Sequence, residues 1–161
     1  TGGCRSGKSR RAQELAESLG TDRVYLATAE AIDDEMADRI TRHQADRGEG
    51  WRTIESPLDV CSFLGEGQVV LLDCLTLWVS NLMHAHGTDA DLTPHFDALA
   101  QAIAKTDNHI ILVTNEVGMG IVPMNAMARR FRDNAGWLAQ RIATVCDRVE
   151  LCAAGIPLRL K

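Results

Sequence analysis

The sequence predicts an α/β domain: a mostly parallel sheet with helices on both faces. Three observations carry that expectation. Residues 24–28, 69–73 and 110–113 are short, unbroken apolar runs, the pattern of strands buried on both sides. Segments with helical spacing of apolar side chains alternate with them. A glycine-rich stretch stands directly before the first of those helices.

Taken in order, Ala12, Leu15, Ala16 and Leu19 share one face of a helix over residues 8–20, with Gly20 as its C′ residue. A buried strand follows at 24–28. Asp33, Asp34 and Glu35 place negative charge where a helix N-terminus is positive, and Met36, Ile40 and His43 lie on one face of that helix. Residues 51–55 read as a strand. Ser56-Pro57-Leu58-Asp59 has the form of a helix start, with Ser as N-cap and Pro at N1. The strand at 69–73 ends in a carboxylate and leads into an apolar helix over 75–86. Thr93-Pro94 opens another helix, and a strand at 110–113 gives way to a glycine-containing loop, 115–123. A long helix spans 125–145, and residues 149–152 and 156–160 form two strands across Ala153-Ala154-Gly155.

With 161 residues, 45% hydrophobic and 24% charged, the chain has the make-up of one globular domain, expected to occupy 1–161. Lys and Arg number 17 against 22 Asp and Glu, a net charge of −5 that disfavours general nucleic-acid binding. No apolar run approaches the ~18 residues of a membrane span. The cysteines, Cys4, Cys61, Cys74, Cys146 and Cys152, are odd in number and scattered, as expected of free, mostly buried thiols in a reducing cytoplasm. His84-Ala85-His86 lacks a third ligand and reads as a helix end. Trp51, Trp78 and Trp137 read as packing or interface anchors, and Arg129-Arg130-Phe131-Arg132-Asp133 as a solvated helix face.

Residues Gly2-Gly3-Cys4-Arg5-Ser6-Gly7-Lys8-Ser9 match G-x-x-x-x-G-K-[ST], the phosphate-binding loop. Its glycines let backbone N–H groups converge on phosphate oxygens, Lys8 bridges the β- and γ-phosphates, and Ser9 offers a hydroxyl to Mg²⁺. The following helix directs its positive end at the same anion. A buried strand is expected ahead of Thr1. Asp73, at the tip of its strand, is the matching second metal ligand. These residues alone are compatible with a small-molecule kinase in which His43 is structural, or with a slow nucleotide-operated switch. Arg39, Arg42 and Arg47 surround His43, however, a setting that suits a nucleophile meeting polyphosphate.

Six blocks carry a resemblance: GGCRSGKS, ATAEAIDDEMADRITRH, GWRTIE, LLDCLTLWVSNL, VTNEVGMGIVP and RRFRDNAG, in this order from Thr1 to about Arg141. They resemble the bifunctional adenosylcobinamide kinase / adenosylcobinamide-phosphate guanylyltransferase family of cobalamin biosynthesis. The resemblance implies a RecA-like P-loop NTPase fold and assembly as a trimer. It implies two reactions: phosphorylation of adenosylcobinamide by ATP or GTP, then transfer of GMP from GTP through a guanylylated histidine to adenosylcobinamide phosphate, releasing pyrophosphate. That histidine falls on His43. The implied GTP-contacting positions are Gly2, Gly3, Cys4, Arg5, Ser6, Gly7, Lys8 and Ser9, then Ala27, Thr28 and Ala29, then Gln44, Ala45, Asp46 and Arg47, and Glu55 and Asp73. Asn115 and Glu116, just past a strand's C-terminal end, are expected to serve corrinoid contact or catalysis, with Gly118 and Gly120 giving their loop mobility.

Overall fold

The computed structural model describes residues 1–29 and 48–161. The helix expected from Asp33, and with it His43, Gln44, Ala45, Asp46 and Arg47, lies outside the described residues. The described elements are α1 (Lys8–Leu19), β1 (Arg23–Ala27), β2 (Trp51–Glu55), β3 (Val69–Asp73), α2 (Leu75–His86), α3 (Thr93–Lys105), β4 (His109–Val113), α4 (Ala126–Val145), β5 (Glu150–Ala153) and β6 (Ile156–Arg159). Four strands form a parallel sheet in the order β2-β1-β3-β4, while β5 and β6 pair as an antiparallel hairpin. Gly2 joins the two by parallel bridges to Asn115 and to Cys152.

Alternation along β3 divides the core. Val69 and Leu71 face α1 and pack with Ala12, Ala16 and Val113. Val70 and Leu72 face the other way, with Val24 and Leu26, among residues of α2, α3 and α4. Both layers are apolar, which is why these strands read as unbroken hydrophobic runs. Trp78 is buried within the larger layer, and its indole N–H donates to the Leu58 carbonyl at 2.8 Å.

Three local expectations change. Ser56 does not open an α-helix: its hydroxyl donates to the Asp59 carbonyl at 2.6 Å, and only a short 3₁₀ turn, Cys61–Phe63, follows. Gly65 and Gly67, residues of low helix propensity, then lead into β3 at Val69. Gly20 ends α1 in extended backbone (φ 176°) rather than the left-handed form. What it supplies is closeness, since a Cβ there would lie 2.5 Å from Gln68 Oε1 and 3.2 Å from Val69 Cγ2. The arginines of α4 are not merely a solvated face: Arg129 and Arg132 donate to backbone carbonyls of the preceding loop.

Arg11 of α1 forms a two-pronged ion pair with Glu150 of β5, at 2.9 and 3.2 Å, and Arg148 bonds the same carboxylate. The Arg11 guanidinium, assisted by Arg148, holds the Glu150 carboxyl below its ordinary pKa. A depressed carboxylate stabilises the fold above its unfolded pKa of about 4.3, and that contribution is lost as pH falls toward the folded value. Glu150→Gln is therefore expected to cost about 1–3 kcal/mol at pH 7. In urea titrations its deficit should narrow as pH drops from about 5 toward 3. A deficit independent of pH would contradict this role for the charge.

Candidate nucleotide-binding site

The loop from Gly2 to Ser9 sits at the C-terminal ends of the parallel strands, where α/β sheets bind ligands. Its position is set by backbone bonds: Glu116 N–H donates to the Gly2 carbonyl at 2.9 Å, and Gly155 N–H to the Ser6 carbonyl at 3.0 Å. Glycine is required at both ends of the curl. Gly2 has φ 156°, and a Cβ there would lie 2.5 Å from the Cys152 carbonyl oxygen; Gly7 has φ 91°, with Gly155 Cα 3.1 Å from the same construction. Arg5, at φ 53°, takes the left-handed conformation at the exposed crest. Helix α1 starts directly behind, with no side-chain cap, so its first-turn amides and positive dipole end are directed at whatever the loop holds. Lys8 Nζ donates across the loop to the Gly3 carbonyl at 3.1 Å. Ser9 follows it in the first helical turn.

Strand register brings other expected residues level with one another. Ala27 pairs with Glu55 on one side and Asp73 on the other. Glu55 and Asp73 thus sit at one sheet end, two strand spacings or about 10 Å apart at the backbone. Asp73 is partly exposed and Glu55 exposed. Thr28 is fully buried. Its hydroxyl donates to the Cys74 carbonyl at 2.8 Å and accepts from Cys74 N–H at 2.9 Å, and its own N–H bonds the Asp73 carbonyl. Thr28 therefore fixes the turn that presents Asp73, while the partly exposed Ala29 borders the site.

Asn115 and Glu116 are held by their surroundings. Asn115 Nδ2 donates to Thr76 Oγ1 at 3.1 Å, and the Glu116 carboxylate accepts Gly118 N–H at 2.6 Å. Both side chains shape the loop beside Gly2. Asn81 escaped the sequence reading. From α2 it donates to the carbonyls of Thr28 and Pro57, at 2.8 and 2.9 Å, tying together the turns after β1 and β2. An asparagine on the edge of an apolar helix was the available signal.

The cysteines are free. Cys74 and Cys152 are buried, and burial raises the thiol pKa of Cys74, Cys61 and Cys146, which blunts their reactivity. Cys4 departs from the expectation of burial: it is exposed on the phosphate loop. A thiol reagent is expected to modify Cys4 first, and saturating GTP to slow that modification about tenfold or more by covering the loop. Unchanged labelling with bound nucleotide would place the phosphates elsewhere.

A glycine curl closing onto an uncapped helix, beside a parallel strand tipped by Asp73, defines a phosphate-loop nucleotide-binding protein of the α/β class. Comparison with known proteins narrows the class. Residues 1–160 match the family described as cobinamide kinase / cobinamide phosphate guanyltransferase, and the chain belongs to that family. It is 44% identical over 164 residues to the bifunctional adenosylcobalamin biosynthesis protein CobP of Pseudomonas aeruginosa, covering 99% of this chain and 94% of that protein. It is 40% identical over 177 residues to the bifunctional adenosylcobalamin biosynthesis protein CobU of Escherichia coli, covering 100% of this chain and 97% of that one. The same identity holds for the protein of that name from Salmonella typhimurium.

Proposed function

We propose that this chain phosphorylates adenosylcobinamide with a nucleoside triphosphate and then converts adenosylcobinamide phosphate to adenosylcobinamide-GDP through a guanylylated His43. The observation that carries this reading is the phosphate loop, Gly2 to Ser9, curled at the same sheet end as Asp73 and Glu55 in a chain of this family.

In the first reaction the acceptor hydroxyl attacks the γ-phosphorus and releases its proton to water, the bond to the β-phosphate oxygen breaks, and nucleoside diphosphate leaves. Loop amides and the Lys8 ammonium offset charge on the equatorial and leaving oxygens. In the second, a His43 imidazole nitrogen attacks the α-phosphorus of GTP and pyrophosphate departs, leaving a phosphoramidate. A phosphate oxygen of adenosylcobinamide phosphate then displaces the imidazole, which returns to its neutral form. The bond to nitrogen conserves the transfer potential of GTP between the two displacements.

The oxygen donors Ser9 and Asp73 suit Mg²⁺, a hard cation that takes a hydroxyl or carboxylate and completes its shell with phosphates and water. When bound it would supply further charge neutralisation at the phosphates. Ala27, Ala29, Glu55 and Gln44 to Arg47 are assigned to nucleotide contact, and Asn115 and Glu116 to the corrinoid side. Action in the cytoplasm as a trimer completes the reading.

The test uses γ-labelled ATP or GTP with cobinamide. Label should pass to cobinamide phosphate, and unlabelled GTP should then convert that product to cobinamide-GDP. Hydrolysis without transfer to cobinamide would leave a nucleotide-operated switch as the better description.

A further inference from the structure

Helix α2 reaches the turn behind every strand of the parallel sheet. It starts from the end of β3, across Cys74. In its first turn Thr76 Oγ1 accepts from Asn115 N–H and Nδ2, at 3.3 and 3.1 Å, in the turn after β4. The Trp78 indole N–H donates to the Leu58 carbonyl at 2.8 Å, after β2. Asn81 serves two turns at once: its Nδ2 donates to the carbonyl of Thr28, after β1, at 2.8 Å and to that of Pro57, after β2, at 2.9 Å.

A side-chain amide nitrogen carries two protons, and Asn81 has a carbonyl for each. Trp78 and Asn81 are three residues apart and share one face of the helix. The turn after β2 is therefore held at two successive carbonyls, Pro57 and Leu58. β2 depends on such ties. In the order β2-β1-β3-β4 it pairs only with β1 among the described residues, and its last residue is Glu55. Ser56 N–H adds a backbone tie to the Ala27 carbonyl at 2.9 Å.

The two turns carry residues assigned to nucleotide contact, Ala27 and Ala29 on one and Glu55 on the other. Thr28 extends the linkage, because its hydroxyl is bonded to both the N–H and the carbonyl of Cys74, next to Asp73. One side chain thus connects the strand ends that bear Ala27, Glu55 and Asp73. The phosphate loop is anchored separately, by the N–H groups of Glu116 and Gly155. Loss of the Asn81 bonds would therefore disturb the strand-end side of the nucleotide and leave Lys8 in place.

We infer that Asn81 is a positioning residue for GTP: it sets the spacing of the turns after β1 and β2, and with it the affinity for the nucleotide. This role rests on the proposed GTP reaction. Asn81 acts through Thr28 and Pro57 rather than on the nucleotide itself.

The experiment compares wild type with Asn81→Leu, Asn81→Asp and Val79→Ala. The leucine removes both bonds at similar volume, and the ionised aspartate keeps the shape without the two protons. Val79 is a fully buried core residue of the same helix, so its truncation reports what loss of stability alone does. GTP affinity is measured at equilibrium on folded protein, with KM and kcat for guanylyl transfer to cobinamide phosphate. Both Asn81 variants are expected to bind GTP roughly tenfold more weakly, an effect on the scale of one hydrogen bond. Their KM for GTP should rise to match while kcat stays within about threefold, the pattern of a lost ground-state contact. Val79→Ala should unfold at lower temperature and bind GTP as wild type does. Wild-type affinity in folded Asn81 variants would overturn the positioning role and leave the GTP site standing. Equal weakening in Val79→Ala would make Asn81 merely structural, as would Asn81 variants that fail to fold where Val79→Ala folds; either overturns the role. Wild type that binds no GTP would overturn the positioning role and the proposed function together.

Discussion

Replacing Lys8 by alanine is expected to lower phosphoryl transfer and guanylyl transfer together, each by about 10²–10³-fold in kcat. The Lys8 ammonium lies over the loop, bonded to the Gly3 carbonyl at 3.1 Å, where phosphate oxygens would exchange for that carbonyl. A preorganised ammonium facing the charge that develops on phosphate oxygens is worth more in the transition state than the same charge free in solution. The substitution leaves the core layers untouched, since Ala12 and Ala16 carry the buried face of α1. Thermal unfolding should therefore match wild type while both half-reactions fall. The comparison also decides how the reactions share the chain. Loss of one activity with the other intact would require a second nucleotide site away from Gly2 to Ser9.

The second large effect is asymmetric. His43→Ala is expected to lower GMP transfer by about four orders of magnitude or more, as removal of a covalent nucleophile does. Phosphorylation of cobinamide, which uses no histidine nucleophile, should stay within a few-fold of wild type. Assaying the two half-reactions separately, with cobinamide and with cobinamide phosphate, reads this split directly. Equal loss of both would give His43 a structural or general electrostatic role.

Much of this fold was legible because its physics is local or strictly periodic. The bounds of α2, Leu75–His86, and of β3, Val69–Asp73, agree with the sequence reading because apolar runs and a helical stripe begin and end there. The phosphate loop was legible for a different reason: Gly2 and Gly7 sit at positive φ with backbone of Cys152 and Gly155 close by, so other residues fit poorly there. What escaped depends on long-range partners. The role of Gly20 is set by Gln68, that of Thr28 by Cys74, and that of Asn81 by carbonyls on two other turns. The arginines of α4 looked solvated on a helical wheel, yet Arg129 and Arg132 fold back onto the loop before them. Ser56 had the residues of a helix start, yet its hydroxyl bonds the Asp59 carbonyl and only a 3₁₀ turn follows.

Within the candidate site, Asp73 could be proposed from its place at a strand tip and Glu55 only from the family resemblance, whereas their common row across Ala27 is a property of sheet register. The apolar crest from Met119 to Met124 was legible only as composition. Its exposure and its two arginine clamps emerge from the packing of α4.

The claim at the centre of the account is covalent: GMP rests on His43 between donor and acceptor. Incubation of the wild-type protein with α-labelled GTP tests it without any corrinoid present. The account predicts label retained through denaturation, lost in acid, stable in alkali as a phosphoramidate should be, and absent from His43→Ala. Wild-type protein that binds GTP and takes up no such label would contradict it.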